Sequence, residues 1–364
     1  MIIKDITNYI EELAPLNYAE DFDNVGLLVG NYNTNITGVL ITLDTLEETV
    51  NEAIAKKCNL IVSFHPIIFS GLKKLNGNSY VERVVLKAIK NDIAIYATHT
   101  ALDNSKNGVS AKICEVLGLK NNHILIPKTG IIKKLTTYAP IINADALKIA
   151  LFSAGAGNIG NYDKCSFTVL GNGTFRGNEY SNPVIGEKGT LHTEKEAKIS
   201  VIYESKNETA ILKALQENHP YEEIAYEIVT TENVHQDIGM GMIGELSSEM
   251  EEKEFLSFLK KTMKTDCIRH SALINKKIKK VAVLGGAGSF AISNAKKAGA
   301  DAYVSADFKY HEFFTAENSI LLADIGHYES EQFTKNLLVD YLTKKFSNFA
   351  VILSEKSTNP IYYI

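Results

Sequence analysis

The chain has 364 residues, a length that accommodates two or three domains. Hydrophobic residues make up 45% and charged residues 22%, the balance of an ordinary globular protein. With 38 basic against 43 acidic residues the net charge is −5, which excludes a global basic field that would draw in nucleic acid.

Ile2, Ile3, Ile6, Ile10 and Leu13 recur at helical spacing, and Pro15 ends the opening helix they predict. Residues 39–43 then read as a strand, 47–57 as a helix, 60–63 as a second strand, 80–91 as a helix, 93–98 as a strand and 108–117 as a helix. Such alternation predicts a mostly parallel sheet covered by helices, with ligands off the carboxyl ends of its strands. From about Leu135 the pattern restarts. Strands at 135–139, 166–170, 197–203 and 223–229 alternate with helices at 145–153 and 208–217. Two successive β-α-β units of this kind describe a ferredoxin-like α+β sandwich. The first style then returns: helix 253–264, strand 281–284, a glycine loop, helix 291–298, strands 302–305 and 320–323, a long helix 329–345 and a last strand 350–353. Lys56-Lys57 leads into the strand at 60, and Lys296-Lys297 leads into the strand at 302. This parallel fits either two related α/β halves or chance likeness between short helix–strand units.

Cys58, Cys114, Cys165 and Cys267 are widely spaced and form no C-x-x-C pair, which argues against a disulfide framework and a structural zinc site. The first three sit in apolar stretches and read as small core residues. The N-terminal stretch is too interrupted by polar residues for a signal peptide, and no apolar run is long enough to span a membrane. A cytoplasmic protein is expected.

Polar residues with metal-binding chemistry stand just past several apolar runs. His65 follows the strand at 60–63 and is locked by Pro66; His99 and Asp103 follow the strand at 93–98. His327 and Glu331, four apart after Gly326, share one face of a predicted helix start. They fit either one half of a divalent-ion site or a helix-capping network. Mixed imidazole and carboxylate ligands suit Zn, Mn, Fe, Ni or Co. Asp307 and His311, also four apart, fit roles as orienters of metal ligands, as proton carriers, or as an exposed pair. Gly285-Gly286-Ala287-Gly288-Ser289 fits either a phosphate cradle or a tight turn.

Five motifs in one order now carry a resemblance: Asp23-Asn24-Val25-Gly26-Leu27, His65-Pro66-Ile67-Ile68-Phe69, His99-Thr100-Ala101-Leu102-Asp103, Asp307-Phe308-Lys309-Tyr310-His311 and Gly326-His327-Tyr328-Glu329-Ser330-Glu331. The chain resembles the GTP cyclohydrolase I type 2 homolog family, also called NGG-interacting-factor-3-like, over essentially its whole length. The resemblance implies a discontinuous metal-binding domain at 1–132 and 236–364. Residues 133–235 look like the inserted PII/CutA-like domain of longer bacterial members, with residues 155–162 and His219-Pro220-Tyr221-Glu222-Glu223 as its marks. It implies a dinuclear centre with His65, Asp103, His327 and Glu331 as ligands, Asp103 as bridge, and a ring-shaped homohexamer. Where the family has two adjacent histidines before the proline, the first is Phe64 here, so one ion lacks a ligand or borrows His99. Phe22 stands where the family usually has Trp.

The leading expectation is a hydrolase that uses up to two divalent ions to activate water against a nucleotide-like or phosphorylated small molecule, with His99, Asp307 or His311 moving the proton. The rival is a non-enzymatic metal-binding sensor or adaptor that binds ligands or partners through the insert.

Overall fold

The apolar runs at 39–43, 60–63 and 93–98 become the strands Val39–Thr42, Leu60–Ser63 and Ala94–Ala97 in a computed structural model that describes residues 1–364. They lie parallel and in register, with Thr42 beside Ser63 and Ser63 beside Ala97. Both faces are buried, which is why the runs are continuously apolar and not alternating. On one face Leu40, Ile61 and Ile95 pack with Val50 and Val84 from the helices Glu47–Ala55 and Tyr80–Lys90. On the other, Ile41, Val62 and Tyr96 pack with Ile3, Ile6 and Ile10 of the opening helix Ile3–Leu13. Val351–Leu353 adds a parallel strand beside Val39–Thr42, and Gly26–Val29 adds an antiparallel edge beside Ala94–Ala97.

A second sheet is built alike at its centre. Ile278–Ala287, Ala302–Ala306 and Leu321–Asp324 run parallel, and Lys120–Lys128, His235–Met250 and Arg269–His270 complete six strands. Val283, Val304 and Ala323 join the same core as Ile41 and Val62. Ala282, Tyr303 and Leu322 face a separate core with Ile292 and Ala295. Both sheets belong to one compact unit, Met1–Pro127 with Gln236–Ile364.

The other unit is Lys128–His235. Its strands Ile132–Pro140, Ser166–Phe175, His192–Glu204 and Tyr226–Thr230 form one antiparallel sheet in the order second, third, first, fourth. The helices Ala144–Ser153 and Glu208–Asn218 cover one face, where Leu147, Leu151, Ile211 and Leu215 meet Leu135, Ala197, Ile199 and Val201.

Three sequence expectations need correction. The long helix at 329–345 is two helices, His327–Glu331 and Thr334–Lys345. At the break, the Gln332 amide donates to the Met263 carbonyl at 2.8 Å. Cys165 is half-exposed and is not a core residue, unlike the buried Cys58 and Cys114. The helix at 291–298 shortens to Ile292–Lys297 behind a tight turn at Ser289–Ala291. No helix is long and apolar enough to cross a membrane.

Candidate metal centre

In the first sheet, strand register does the positioning. Asp44, His65 and His99 each lie two residues beyond the ends of the strands Val39–Thr42, Leu60–Ser63 and Ala94–Ala97. Those strands are adjacent and in register, so the three side chains leave one sheet edge side by side. In the second sheet, Asp307 directly follows Ala302–Ala306, and His327 opens the helix after Leu321–Asp324. His99 and Asp307 hold positive φ, 27° and 58°. Such strained conformations persist where the surroundings over-determine them, commonly at functional sites.

The two edges meet at Glu331. His65 Nε2 lies 3.2 Å and His327 Nε2 lies 3.3 Å from Glu331 Oε2, and the two nitrogens are 3.4 Å apart. The ligand atoms of these three residues all fall within 4.8 Å of one another. Each imidazole is fixed from behind: His65 Nδ1 donates to Asp44 Oδ1 at 2.8 Å, and His327 Nδ1 donates to Asp307 Oδ2 at 2.7 Å. That pairing selects the tautomer whose Nε2 lone pair points inward, the usual support of a metal-bound histidine. Asp44 is itself held by the Thr358 hydroxyl from the C-terminal segment.

Electrostatics confirm how tightly the groups are coupled. Burial opposes charge on His65, yet Asp44 and Glu331 lift it to about 10. His327 likewise rises to about 9, against its own burial, through Glu331 and Asp307. Glu331, 4% exposed, falls to about 2 because the two imidazoles outweigh its desolvation. Its Oε2 nonetheless completes no well-formed hydrogen bond. A buried carboxylate oxygen left open between two inward-facing imidazole nitrogens fits a divalent cation with N and O ligands.

Asp103 stands outside this tight group of three. Burial and the Glu331 charge push its carboxyl well above the ordinary range, and it lies within electrostatic reach of His65 and His327. His99 repeats the arrangement of the other two imidazoles: its Nδ1 donates to Asp23 Oδ1 at 2.7 Å, and its ring centroid is 5.5 Å from that of His65. The Asp23 side chain is fully buried and further held by the Thr100 amide at 3.1 Å and by the Thr100 hydroxyl. Burial raises its carboxyl, but the bonds from His99, Thr100 and Asn24 bring it below the usual range. Asp307 therefore holds His327. His311 is exposed on the turn Tyr310–Ala316, where its ring packs on Tyr310 and Phe314 and makes no contact with the three imidazoles. Phe64 is wholly buried beneath the site, with ring centroids 5.0 Å from His65 and 5.6 Å from His99.

Sequence reasoning missed Asp44 and the role of Asp23. Asp44 carried a usable signal, since it follows an apolar strand just as His65 does. We expect Asp44→Asn to weaken divalent-ion affinity by about 10- to 100-fold, the usual cost of losing a partner behind a ligating imidazole, as read by competition against a chromophoric chelator. Unchanged affinity would mean that His65 is not a ligand.

The glycine loop has another use than cradling phosphate. The Gly286 amide donates to Ser330 Oγ at 2.8 Å and the Gly288 amide to the Ala306 carbonyl at 3.3 Å, so both donors are taken. Gly286 has φ 67°, and a methyl there would collide with Glu331 Oε1 and crowd His327. Close approach of this strand to the His327–Glu331 helix is what requires glycine. Gly286→Ala is expected to cost roughly 1–3 kcal/mol through overpacking and to weaken divalent-ion binding, which thermal melts and metal titration would register.

Comparison with known proteins agrees over the full chain. The sequence model described as Duf34/NIF3 (NGG1p interacting factor 3) matches residues 1–360. A Bacillus subtilis protein named GTP cyclohydrolase 1 type 2 homolog is 37% identical, with 99% of this chain and 98% of that relative covered. A Halalkalibacterium halodurans protein of the same name is 36% identical over 99% and 98%. Among solved structures, a Bacillus cereus protein related to NIF3 superposes with a TM-score of 0.83 at 35% identity, covering 100% and 99% of the two chains. Staphylococcus aureus protein SA1388 superposes with a TM-score of 0.79 at 30% identity over 100% and 99%.

Proposed function

The chain belongs to the Duf34/NIF3 (NGG1p interacting factor 3) family, and from that premise we propose that it is a metal-dependent hydrolase acting on a nucleotide-like or phosphorylated small molecule. The observation that carries this reading is the convergence of His65, His327 and Glu331, with both imidazoles turned inward by aspartates. A divalent ion held there would supply Lewis-acid activation of water near neutral pH.

The residues divide the remaining work. His65, His327 and Glu331 would hold the ion, while Asp44 and Asp307 fix the two rings. Asp103 and His99 would supply ligands for a second ion, with His99 in place of the imidazole that Phe64 does not provide. Because Asp23 occupies its Nδ1, His99 would carry a proton through Nε2. His311 has no part, given its packing on Tyr310 and Phe314. Phe69 packs on His99 with centroids 6.2 Å apart and on Phe22 with centroids 6.4 Å apart. These two phenylalanines are 51% and 67% exposed and tilted 52° to one another, so either ring offers an open face on which a heterocyclic base could stack. The name these relatives carry, GTP cyclohydrolase 1 type 2 homolog, supports a substrate of this kind.

In the same reading, residues 133–235 form a PII/CutA-like insert with a ferredoxin-like arrangement, and the chain assembles as a hexamer in the cytoplasm. The test is metal analysis of protein purified without added ions, with turnover on a nucleotide panel, for the parent and His327→Ala. Bound ion with turnover, both lost in the variant, supports the hydrolase. One tightly held ion with no turnover on any nucleotide rejects it in favour of a sensor.

A further inference from the structure

A cavity of about 490 Å³ lies wholly within the Lys128–His235 unit, bounded by the loop that follows Phe175 and by the segment 221–225. That volume suits a small organic ligand. The His219-Pro220-Tyr221-Glu222-Glu223 stretch, which the metal centre leaves unused, builds one side of it. His219 Nε2 donates to the Tyr138 carbonyl at 2.9 Å, and its Nδ1 accepts from the Tyr221 amide at 3.1 Å. Those bonds fix Tyr221. The Asn182 amide donates to Glu222 Oε1 at 2.6 Å, and the Gly189 amide donates to the Gly177 carbonyl at 2.8 Å, so the loop is fastened across the cavity and its shape is preformed.

Glu196 is the polar centre. It is 8% exposed, and its one side-chain hydrogen bond comes from the Tyr221 hydroxyl to Oε1 at 2.8 Å. Oε2 lies over Gly173, where any side chain would overlap it, so the glycine is what admits the carboxylate. A carboxylate offers about four acceptor positions, so Glu196, with a single side-chain donor, keeps acceptor capacity for a ligand that enters the cavity. The surrounding walls are aromatic: Tyr138, Phe175 and Tyr221 line the cavity, and the last two rings stand 6.0 Å apart at 57°. Arg176, also on the lining, is exposed and forms no ion pair.

We propose that this cavity binds a planar heterocycle of the guanine or pterin class, and that Arg176 adds affinity for members that carry an anionic group. Two neighbouring N–H donors on an amidine-type ring edge match the two Glu196 oxygens in the bidentate manner of a guanidinium. Phe175 and Tyr221 take the ring face, and Arg176 takes a phosphate. Adenine is refused, because its corresponding edge places a ring-nitrogen acceptor against the carboxylate.

The test is calorimetric binding to the full-length protein with GMP, guanosine, neopterin and AMP. GMP or neopterin is expected to bind once per chain, with AMP weaker by about 10- to 100-fold, the worth of hydrogen bonds to a charged group. Tighter binding of GMP assigns a nucleotide, and tighter binding of neopterin a pterin. Glu196→Gln should weaken GMP by a similar factor. Arg176→Ala should weaken GMP while leaving guanosine unchanged, and this exposed position stays informative if Glu196→Gln does not fold. Equal AMP binding, or no binding of either GMP or neopterin, overturns the proposal. So does GMP binding that survives Glu196→Gln but disappears in Glu331→Gln, which would place the ligand at the metal centre. Failure of the hydrolase reading shows in metal content and turnover and leaves this result untouched.

Discussion

Glu331→Gln is expected to abolish divalent-ion binding at the proposed centre, with affinity falling by more than the roughly 100-fold upper cost of losing a partner behind a ligating imidazole. Glutamine conserves volume, so the change isolates charge. In the parent, Glu331 is almost fully buried and is the one group that both His65 and His327 approach through Nε2. Without its charge, the His65–His327 pair loses the one carboxylate both rings approach, and the imidazoles keep their outer partners, Asp44 and Asp307. The same substitution should lower the proton affinity of both rings, since Glu331 contributes to the rise of each. Metal content after dialysis and imidazole titration by NMR read these two effects separately. Undiminished metal content in a folded Glu331→Gln protein would remove Glu331 from the ligand set and dissolve the proposed centre.

Much of that centre is legible in the sequence because of where sheet edges put side chains. His65 and His99 announce themselves as polar residues two positions past buried parallel strands, and Asp44 obeys the same rule although it was passed over. What the sequence withholds is pairing across long separations. Asp23 reaches His99 from 76 residues away, out of an irregular loop with no period to read. Thr358 reaches Asp44 from 314 residues away. Hydrophobic periodicity says which face of an element is buried, and nothing in it says which loop closes over a strand end.

The fold shows the same division. Strands buried on both faces, such as Leu60–Ser63 and Ala302–Ala306, stand out as continuous apolar runs. Gly26–Val29 is a four-residue edge strand, Lys120–Lys128 opens on Lys-Asn-Asn-His, and His235–Met250 is interrupted by Gly239, Gly241 and Gly244, so each reads as loop. The break at Gln332 was hidden for a related reason. A helical pattern continues across it, while the Gln332 side chain at the break bonds to the Met263 carbonyl, 69 residues distant.

The proton balance of the cluster gives a second large effect, one whose sign depends on the ion. In the ion-free protein His65 and His327 are lifted from 6.5 to about 10 and about 9. Groups raised on folding stabilise fully below their unfolded value, and that contribution fades as the pH climbs through the folded values. Glu331, lowered from 4.5 to about 2, contributes above 4.5 and loses its contribution only as the pH falls toward 2. With EDTA present, the melting temperature should therefore decline between about pH 6.5 and pH 9 as far as this cluster governs it. With excess manganese or cobalt the order reverses, because the imidazoles must release their protons before Nε2 can reach an ion, and affinity rises as protons become scarce. The bound ion then stabilises the folded state in proportion to its tightness, so the gap between the two melting curves should widen steadily with pH. Calorimetry in buffers of different ionisation enthalpy should find protons released on binding near neutral pH, approaching two per ion, one from each ring. Parallel melting curves with no proton release would show that no ion binds through His65 and His327.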